Sequence, residues 1–384
     1  MRTFPDEAAR MAAFPVARNQ IFLAHAGVSI LPACAADAIS AYARASCEQH
    51  QEFGDVLNVF QKTRALCARF IGARAEEVAL LGPTSLGLSL FANGLTWRPG
   101  DELVCYADDY PANVYPWAAL ASKGVLVRRL HTQEPGRITP EAVETLLTPK
   151  TRMVALASCH YLTGWRLDID TIGKLLQDRG ILFSVDAIQT VGAFPTNTTH
   201  VDFLSADAHK WMLGPMAIGI VFVASRNFEI CEPTLLGAWN VRSPEFIAQD
   251  RIEFEPTARR YEPGVLNAAG IYGMKASLEL LESVGSKTVS SCILAARDHL
   301  ENLLDRLGFV FLSPRNHEPF RSGILTARHP STNSTRLFEE LSAAGITASL
   351  RQSRDGVPWL RFSPHFYNTL EEMEQVAGVL EAAL

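Results

Sequence analysis

Two charged residues stand at the ends of apolar runs, where a charge gains nothing from core packing. Asp186 ends the run at residues 181–185, and Lys210 follows 24 residues later between His209 and Trp211. A buried carboxylate without a partner is costly, so we expect Asp186 to face a cation. Partial burial beside an aromatic ring lowers the pKa of a lysine and makes its amine a nucleophile for a carbonyl group.

This pair is the minimal apparatus for binding a pyridine aldehyde such as pyridoxal 5'-phosphate (PLP). The carboxylate keeps the pyridine nitrogen protonated and the lysine forms a Schiff base, so that the ring withdraws electrons from a carbanion. Gln189, three residues after Asp186, is placed to reach a ring substituent such as the phenolate oxygen. The alternative is that Asp186 caps a helix and Lys210 is an ordinary exposed lysine.

The elements that must position these residues alternate between short apolar runs and helical patterns. We predict strands at residues 78–81, 103–106, 125–130, 153–157, 181–185, 203–205 and 219–223. Helices are predicted between several of them, at residues 86–95, 112–122, 140–147 and 168–179. This alternation predicts an α/β fold with a mostly parallel seven-stranded sheet covered by helices. In such sheets functional groups gather past the carboxyl ends of the strands.

The pattern changes after residue 264. Long helices are predicted at residues 266–281 and 287–307, followed by strands at 309–312, 324–326, 346–350 and 360–363 and a last helix at 370–384. This is typical of a smaller α+β domain. We therefore predict three parts: residues 1–50, an N-terminal segment that packs with the small domain; residues 51–260, the large cofactor-binding domain; and residues 261–384, the small C-terminal domain.

The stretch around Lys210 resembles the class V aminotransferase family of PLP-dependent enzymes, which includes cysteine desulfurases, kynureninases and isopenicillin N epimerases. The shared phrases are Asp186-Ala187-Ile188-Gln189, His209-Lys210, Gly214-Pro215 and Gly219. Similarity extends over nearly the whole chain. It implies the PLP-dependent transferase fold of type I, with Lys210 as the catalytic lysine that carries PLP and His209 beside the cofactor.

The family places its cofactor's phosphate and ring against residues that this chain also has. Thr84 and Ser85 lie before a predicted helix, where two hydroxyls and backbone N–H groups make a cup for the phosphate. A plain helix cap at Ser85 is the alternative. Tyr110 stands where the family stacks an aromatic ring or histidine on the pyridine. Its alternative is a turn residue before Pro111.

Substrate contacts are expected from two further segments. His160 and Tyr161 follow the strand at residues 153–157 and match a family loop, although His160 would equally serve a structural role. Arg361 stands in a C-terminal phrase in which the family's arginine precedes Ser363. The resemblance implies that Arg361 binds the substrate α-carboxylate with two parallel N–H groups, and a surface arginine is the alternative.

Residues 259–267 resemble a family segment, Arg-x-Glu-x-Gly-Thr, that reaches the partner's phosphate in a dimer. The resemblance therefore implies a homodimer with the site at the interface. Val265 replaces the threonine, and Trp239 and Asn240 are the candidates to supply the lost contact. Asn267, at the end of this segment, is a further candidate to bind the cofactor. Asp207 stands where desulfurases have serine, and it receives no role.

The sequence indicates a small amino acid as substrate but leaves the reaction open. Residues 346–360, ITASLRQSRDGVPWL, lack the cysteine that desulfurases use to accept sulfur, so cysteine desulfurase is disfavoured. Arg351 and Arg354 in this loop indicate a second anionic group on the substrate or a solvated loop. Transaminase or lyase chemistry is expected, an epimerase or racemase is the alternative, and a PLP-holding sensor or binding protein is the non-enzyme alternative.

Composition removes other classes of function. The 384 residues are 48% hydrophobic and 20% charged, with a net charge of −6 and no basic run, which argues against nucleic-acid and membrane partners. Seven scattered cysteines without a CxxC pair are expected to be reduced thiols in a cytoplasmic protein. No GxGxxG, GxSxG or HExxH motif is present, so we expect no nicotinamide site, serine nucleophile or metal.

Overall fold

The computed structural model describes residues 3–52 and 54–384. In these ranges the helices are α1 (Glu7–Ala13), α2 (Ala33–Glu48), α3 (Val56–Ile71), α4 (Thr84–Gly94), α5 (Tyr115–Ala118), α6 (Pro140–Glu144), α7 (Ile169–Gln177), α8 (Ala268–Val284), α9 (Ser286–Arg306), α10 (Ser334–Ala343) and α11 (Leu370–Ala383). The strands are β1 (Ile21–Phe22), β2 (Val78–Leu80), β3 (Glu102–Tyr106), β4 (Leu126–Leu130), β5 (Thr151–Ala157), β6 (Leu182–Asp186), β7 (Phe203–Asp207), β8 (Gly219–Val223), β9 (Val310–Phe311), β10 (Leu325–Arg328), β11 (Ile346–Thr347), β12 (Ser349–Gln352) and β13 (Pro358–Phe362).

The larger sheet has seven strands in the order β2-β8-β7-β6-β5-β3-β4. The pairs from β7 to β4 are parallel, and β8 runs antiparallel to both of its neighbours. The predicted α/β fold with a mostly parallel seven-stranded sheet is confirmed. Parallel strands inside a sheet are buried on both faces, which explains why most of these runs are almost wholly apolar. The edge strand β4 is the exception, with two arginines that are not buried.

Helices cover both faces of this sheet. Along β5, Val154 and Leu156 belong to one hydrophobic core, whereas Met153 and Ala155 belong to the other. Successive side chains of a strand point to opposite faces, so each apolar run supplies both cores. Residues from α3, α7 and α8 fill the first core, and residues from α4 fill the second.

A smaller antiparallel sheet, β12-β13-β10-β9, packs with α9, α10 and α11 around a third core. The N-terminal strand β1 pairs in parallel with β11 beside it. Helix α8, from the predicted small domain, lies against α2 and α3 and contributes Ile271 and Leu278 to the first core. The division at residues 50 and 260 stays a prediction.

Two predicted elements differ from the structure. The helix expected at residues 112–122 is three short pieces, the 3₁₀ turn Pro111–Asn113, α5, and the 3₁₀ turn Ala119–Lys123. Pro116 has no N–H to donate within a longer helix, so the chain turns in steps. The strand expected at residues 346–350 is divided into β11 and β12, which join different sheets. Among the residues described, no helix combines the length and apolar character needed to cross a membrane.

Candidate active site

Lys210 lies in the turn after β7, and only 8% of its surface is exposed. Its Nζ is 5.5 Å from the centroid of the Tyr110 ring. Burial lowers the pKa of Lys210 to about 8, although the charge of Asp186 opposes this change. The charges of Arg361 and Arg351 contribute to this lowering, which places both arginines near the amine. The amine is therefore neutral more often than that of an exposed lysine.

Asp186 ends β6, next to β7, and is 3% exposed. Burial raises its pKa to about 6, against the opposing effects of the Ile188 N–H and of Lys210. A second buried carboxyl, Asp109, has its pKa raised to about 7 by burial and by the charge of Asp186. Sequence reasoning gave Asp109 no role, since its closeness to Asp186 depends on two loops that meet only in the fold.

The predicted phosphate cup, Thr84 and Ser85, lies at the start of α4. The Thr84 hydroxyl accepts a hydrogen bond from the backbone N–H of Asp207 at 2.8 Å, and Ser205 Oγ donates to the Thr84 carbonyl at 3.0 Å. A Cβ atom at Gly87 would lie 2.4 Å from Ser205 Oγ, so only glycine lets α4 pack this closely on β7. Ser85 is half-buried beside Thr84. The cup is thus fixed against the strand that leads to Lys210.

Asp207 and His209 form a polar pair next to this cup. One carboxylate oxygen of Asp207 is 3.1 Å from Nδ1 of His209. Both oxygens of Asp207 and this nitrogen are buried, and none has a hydrogen bond of good geometry within the described residues. Of the two side chains, only the His209 ring can donate a hydrogen bond to an anion, because the Asp207 carboxylate only accepts.

Gln189 is held by two contacts of its side-chain amide. Its Oε1 accepts from Nε1 of Trp211 at 2.8 Å, and its Nε2 donates to the Ala26 carbonyl at 3.1 Å. One N–H of the amide remains for the predicted contact with a ring substituent.

His160 does not offer the free ring nitrogen that a substrate contact requires. Its Nδ1 is 2.9 Å from the Thr163 hydroxyl, and its Nε2 is 2.9 Å from the Asp108 carbonyl. These bonds fix the loop that leads to Tyr110, so the structure favours the structural alternative for His160. The ring centroid of Tyr161 lies 5.4 Å from that of Tyr110, the ring that Lys210 Nζ also approaches.

Arg361 enters the same space from β13 of the smaller sheet and is 2% exposed. Its Nη1 donates to the Tyr161 carbonyl at 2.6 Å. Its Nε and Nη2 are buried and have no hydrogen-bond partner in the part of the chain that is described. Burial lowers the pKa of Arg361 to about 9, and Arg351 lowers it further. A buried guanidinium with two free donors is suited to an anion.

For three predicted site residues, the observed hydrogen bonds and packing contacts do not involve Lys210. Asn267 caps α8 by accepting from the Gly270 N–H at 3.0 Å. Trp239 is half-buried and packs against the first core. Asn240 was expected to help bind the phosphate, but its amide is committed to backbone groups of Leu235, Gly237 and Arg260. That expectation for Asn240 is therefore wrong.

The segment around Glu262 is anchored inside its own chain. Glu262 binds Nη2 of Arg64 with both oxygens, at 2.7 and 2.8 Å, and also accepts from the Leu80 N–H at 2.8 Å. Arg64 Nε donates to the Val78 carbonyl at 2.9 Å. This buried pair connects α3 and β2 to the segment around Glu262. Strand β2 in turn leads directly to the predicted phosphate cup.

A separate cleft of about 880 Å³ lies between α1 and α11. Its two buried charged residues, Arg10 and Glu372, bind each other at 2.8 Å. The edge of the larger sheet is a better candidate for the active site than this cleft. There, Lys210 and Arg361 have no ion-pair partner among the residues described.

Taken together, this edge fits a phosphorylated pyridine aldehyde. A buried amine of lowered pKa, a buried carboxylate, an aromatic ring and a polar cup surround one space, and a guanidinium with free donors faces it. A comparison with protein families agrees, because residues 21–376 match the model of the aminotransferase class-V family. The chain belongs to the class V aminotransferase family.

Relatives within the family carry different names. A probable cysteine desulfurase of Methanothermobacter thermautotrophicus is 25% identical over 84% of this chain and 82% of its own length. The isopenicillin N epimerase of Streptomyces clavuligerus is 27% identical over 84% of this chain and 83% of its own length. A solved structure of a C-DES mutant with glycine covalently linked to its PLP cofactor has a TM-score of 0.88, with 20% identity, and covers 98% of this chain and 99% of that one.

These matches confirm the predicted family, the fold type and a PLP-dependent enzyme. They do not exclude cysteine desulfurase, which the sequence disfavours because residues 346–360 lack cysteine. They support lyase or transferase chemistry without indicating a specific substrate.

Proposed function

We propose that the protein holds PLP on Lys210 and acts on a small amino acid by transaminase or lyase chemistry. The observation that carries this proposal is the buried Lys210 amine, of pKa about 8, facing Asp186 and Tyr110. When bound, PLP supplies an electron-withdrawing ring next to the substrate's α-carbon. An epimerase or racemase is the second candidate, favoured by the likeness to isopenicillin N epimerase.

The chain's own residues would divide the work as follows. Asp186 keeps the pyridine nitrogen charged, Tyr110 stacks on the ring, and Gln189 donates its remaining N–H to the ring oxygen. Thr84, Ser85 and His209 bind the phosphate. Trp239 and Asn267 would contact the cofactor bound by the partner subunit of a homodimer. Val265, in the same segment as Asn267, is 71% exposed and would be available to such an interface.

Arg361 orients the substrate, and Lys210 moves its proton. The free Nε and Nη2 of Arg361 bind the α-carboxylate, while its Nη1 is held by the Tyr161 carbonyl. The Lys210 amine, once the substrate amine has taken its place, holds or returns the proton at the α-carbon. A pKa near the working pH suits this task, and such proton transfer contributes about two to four orders of magnitude in rate.

Borohydride reduction followed by peptide mapping tests the attachment. After incubation with PLP and reduction, we expect the added mass on the peptide that contains Lys210. K210A should lack the label, whereas K150A, a change at an exposed lysine, should retain it. Labelling of another lysine would refute the proposal.

Incubation with single amino acids then separates the candidate reactions. A keto acid without ammonia indicates transamination, a keto acid with ammonia and a leaving group indicates elimination, and loss of optical activity indicates epimerisation. Absence of turnover with intact PLP attachment would favour a sensor or binding protein.

A further inference from the structure

Two arginines of the smaller sheet point to one place. In the antiparallel pair of β12 and β13, Ser349 lies opposite Arg361 and Arg351 lies opposite Trp359. Residues two apart on a strand share a face, and diagonal neighbours are within reach of long side chains. Arg351 and Arg361 therefore extend from the same face of the sheet toward the same volume.

Gly27 leaves the space between the two guanidinium groups open. A Cβ atom on Gly27 would lie 3.6 Å from Nη2 of Arg351 and 3.6 Å from Nη2 of Arg361. Both nitrogens therefore border one small volume, which a molecule with two anionic groups can span.

Neither arginine has an acidic partner within the described residues. The carboxylates that influence Lys210 are Asp186 and Asp207, and Asp108 lies 3.8 Å from Arg354 instead. Arg361 is buried with two free donors, whereas Arg351 is exposed at the rim of the same volume. One substrate carboxylate satisfies Arg361, and the charge of Arg351 at the rim of the same volume would attract a second anionic group.

We propose that the substrate is an acidic amino acid, whose α-carboxylate binds Arg361 and whose side-chain carboxylate binds Arg351. This inference rests on the function proposed above, since it assigns the α-carboxylate to Arg361. The deeper arginine takes the group nearest the α-carbon, and the exposed arginine takes the distal group.

Arg354 supplies a matched control on the same loop. Its Nη1 donates to the Ala107 carbonyl at 2.7 Å, so its guanidinium is directed to the loop before Tyr110 rather than to Gly27. Replacing Arg354 or Arg351 by glutamine removes the same charge, but only Arg351 borders the proposed second carboxylate.

Binding of matched amino-acid pairs to the PLP-loaded enzyme tests the proposal. L-aspartate is compared with L-asparagine, and L-glutamate with L-glutamine, by calorimetry on the wild type and on R351Q, R351K and R354Q. The members of a pair are nearly equal in size and differ in charge. We expect one acid to bind about tenfold or more tightly than its amide, a preference that R351Q abolishes, R351K partly retains and R354Q leaves in place.

The possible failures are distinct. Equal binding of acids and amides to the wild type would overturn this inference alone, and so would equal losses of preference in R351Q and R354Q. If no amino acid bound the loaded enzyme, the proposed function itself would fail.

Discussion

Asp186 and Lys210 share one buried space, and burial moves their pKa values toward each other. The pKa of the Asp186 carboxyl rises to about 6 and the pKa of the Lys210 ammonium falls to about 8, although each charge favours the ionised form of the other. Desolvation therefore outweighs their attraction. A PLP ring nitrogen next to Asp186, and loss of the amine's charge on attachment, would relieve both penalties.

The pH dependence of attachment should reflect the lowered pKa of Lys210. Because only the neutral amine attacks an aldehyde, the rate of PLP attachment should rise with pH and level off above about 8, where an ordinary lysine would continue rising toward 10.5. In D186N the midpoint should fall, since the charge that raises the Lys210 pKa is removed. Stopped-flow absorbance measures these rates, and a midpoint near 10 would contradict the assignment.

The stability of the cofactor-free protein should depend on Asp186. Its pKa is raised from 3.8 in the unfolded chain to about 6, so its favourable contribution is complete below 3.8 and disappears as pH rises through 6. Relative to D186N, the wild type should gain about 1 kcal/mol on acidification from pH 6 to 5, because Asp186 is only half protonated in the folded state at pH 6. Urea unfolding measures this gain.

Taking the difference between variants removes an opposing effect. The buried His25 and His365 have lowered pKa values, so they destabilise the fold as pH falls, equally in the wild type and in D186N. D37N, a change at an exposed aspartate, should show the wild-type profile. Parallel profiles for the wild type and D186N would show that Asp186 is not perturbed.

Arg361 should control amino-acid binding more than folding. R361Q removes the two free donors and the buried charge, so we expect binding to the PLP-loaded enzyme to weaken by about two orders of magnitude or more. R361K keeps the charge without the forked geometry and should be intermediate. R336Q, on the exposed surface of α10, should bind like the wild type. Calorimetric affinities within a factor of two of wild type for R361Q would exclude the carboxylate role.

The buried pair Arg64–Glu262 should be important for stability. Each single variant, R64A or E262A, leaves a buried charge alone and should cost about 3–5 kcal/mol, and the double variant should cost less than the sum. Arg69, on the same helix α3, provides the control through its exposed ion pair of 2.8 Å with Glu282 on α8: R69A should cost about 1 kcal/mol or less. Denaturant unfolding measures both, and strictly additive losses at Arg64 and Glu262 would contradict the coupling.

The larger sheet was predictable because most of its strands are apolar runs buried on both faces, with the edge strand β4 as the exception. Asp186 and Lys210 could also be predicted as candidate site residues, since charged residues next to such apolar runs stand out in the sequence. The convergence of Arg351 with Arg361 was not readable, because it depends on which residues of β12 and β13 face each other. The contact of His160 with the Asp108 carbonyl likewise joins loops that are distant in sequence.

The residues proposed to bind the cofactor and those proposed to bind the substrate come from different parts of the chain. The cofactor contacts proposed here come from residues 84–267, whereas both arginines proposed to hold the substrate lie on one hairpin, β12 and β13. If those roles hold, exchanging that hairpin between relatives would change the choice of amino acid while leaving Lys210 and its surroundings intact. Members of one fold would then act on different amino acids through changes confined to residues 349–362.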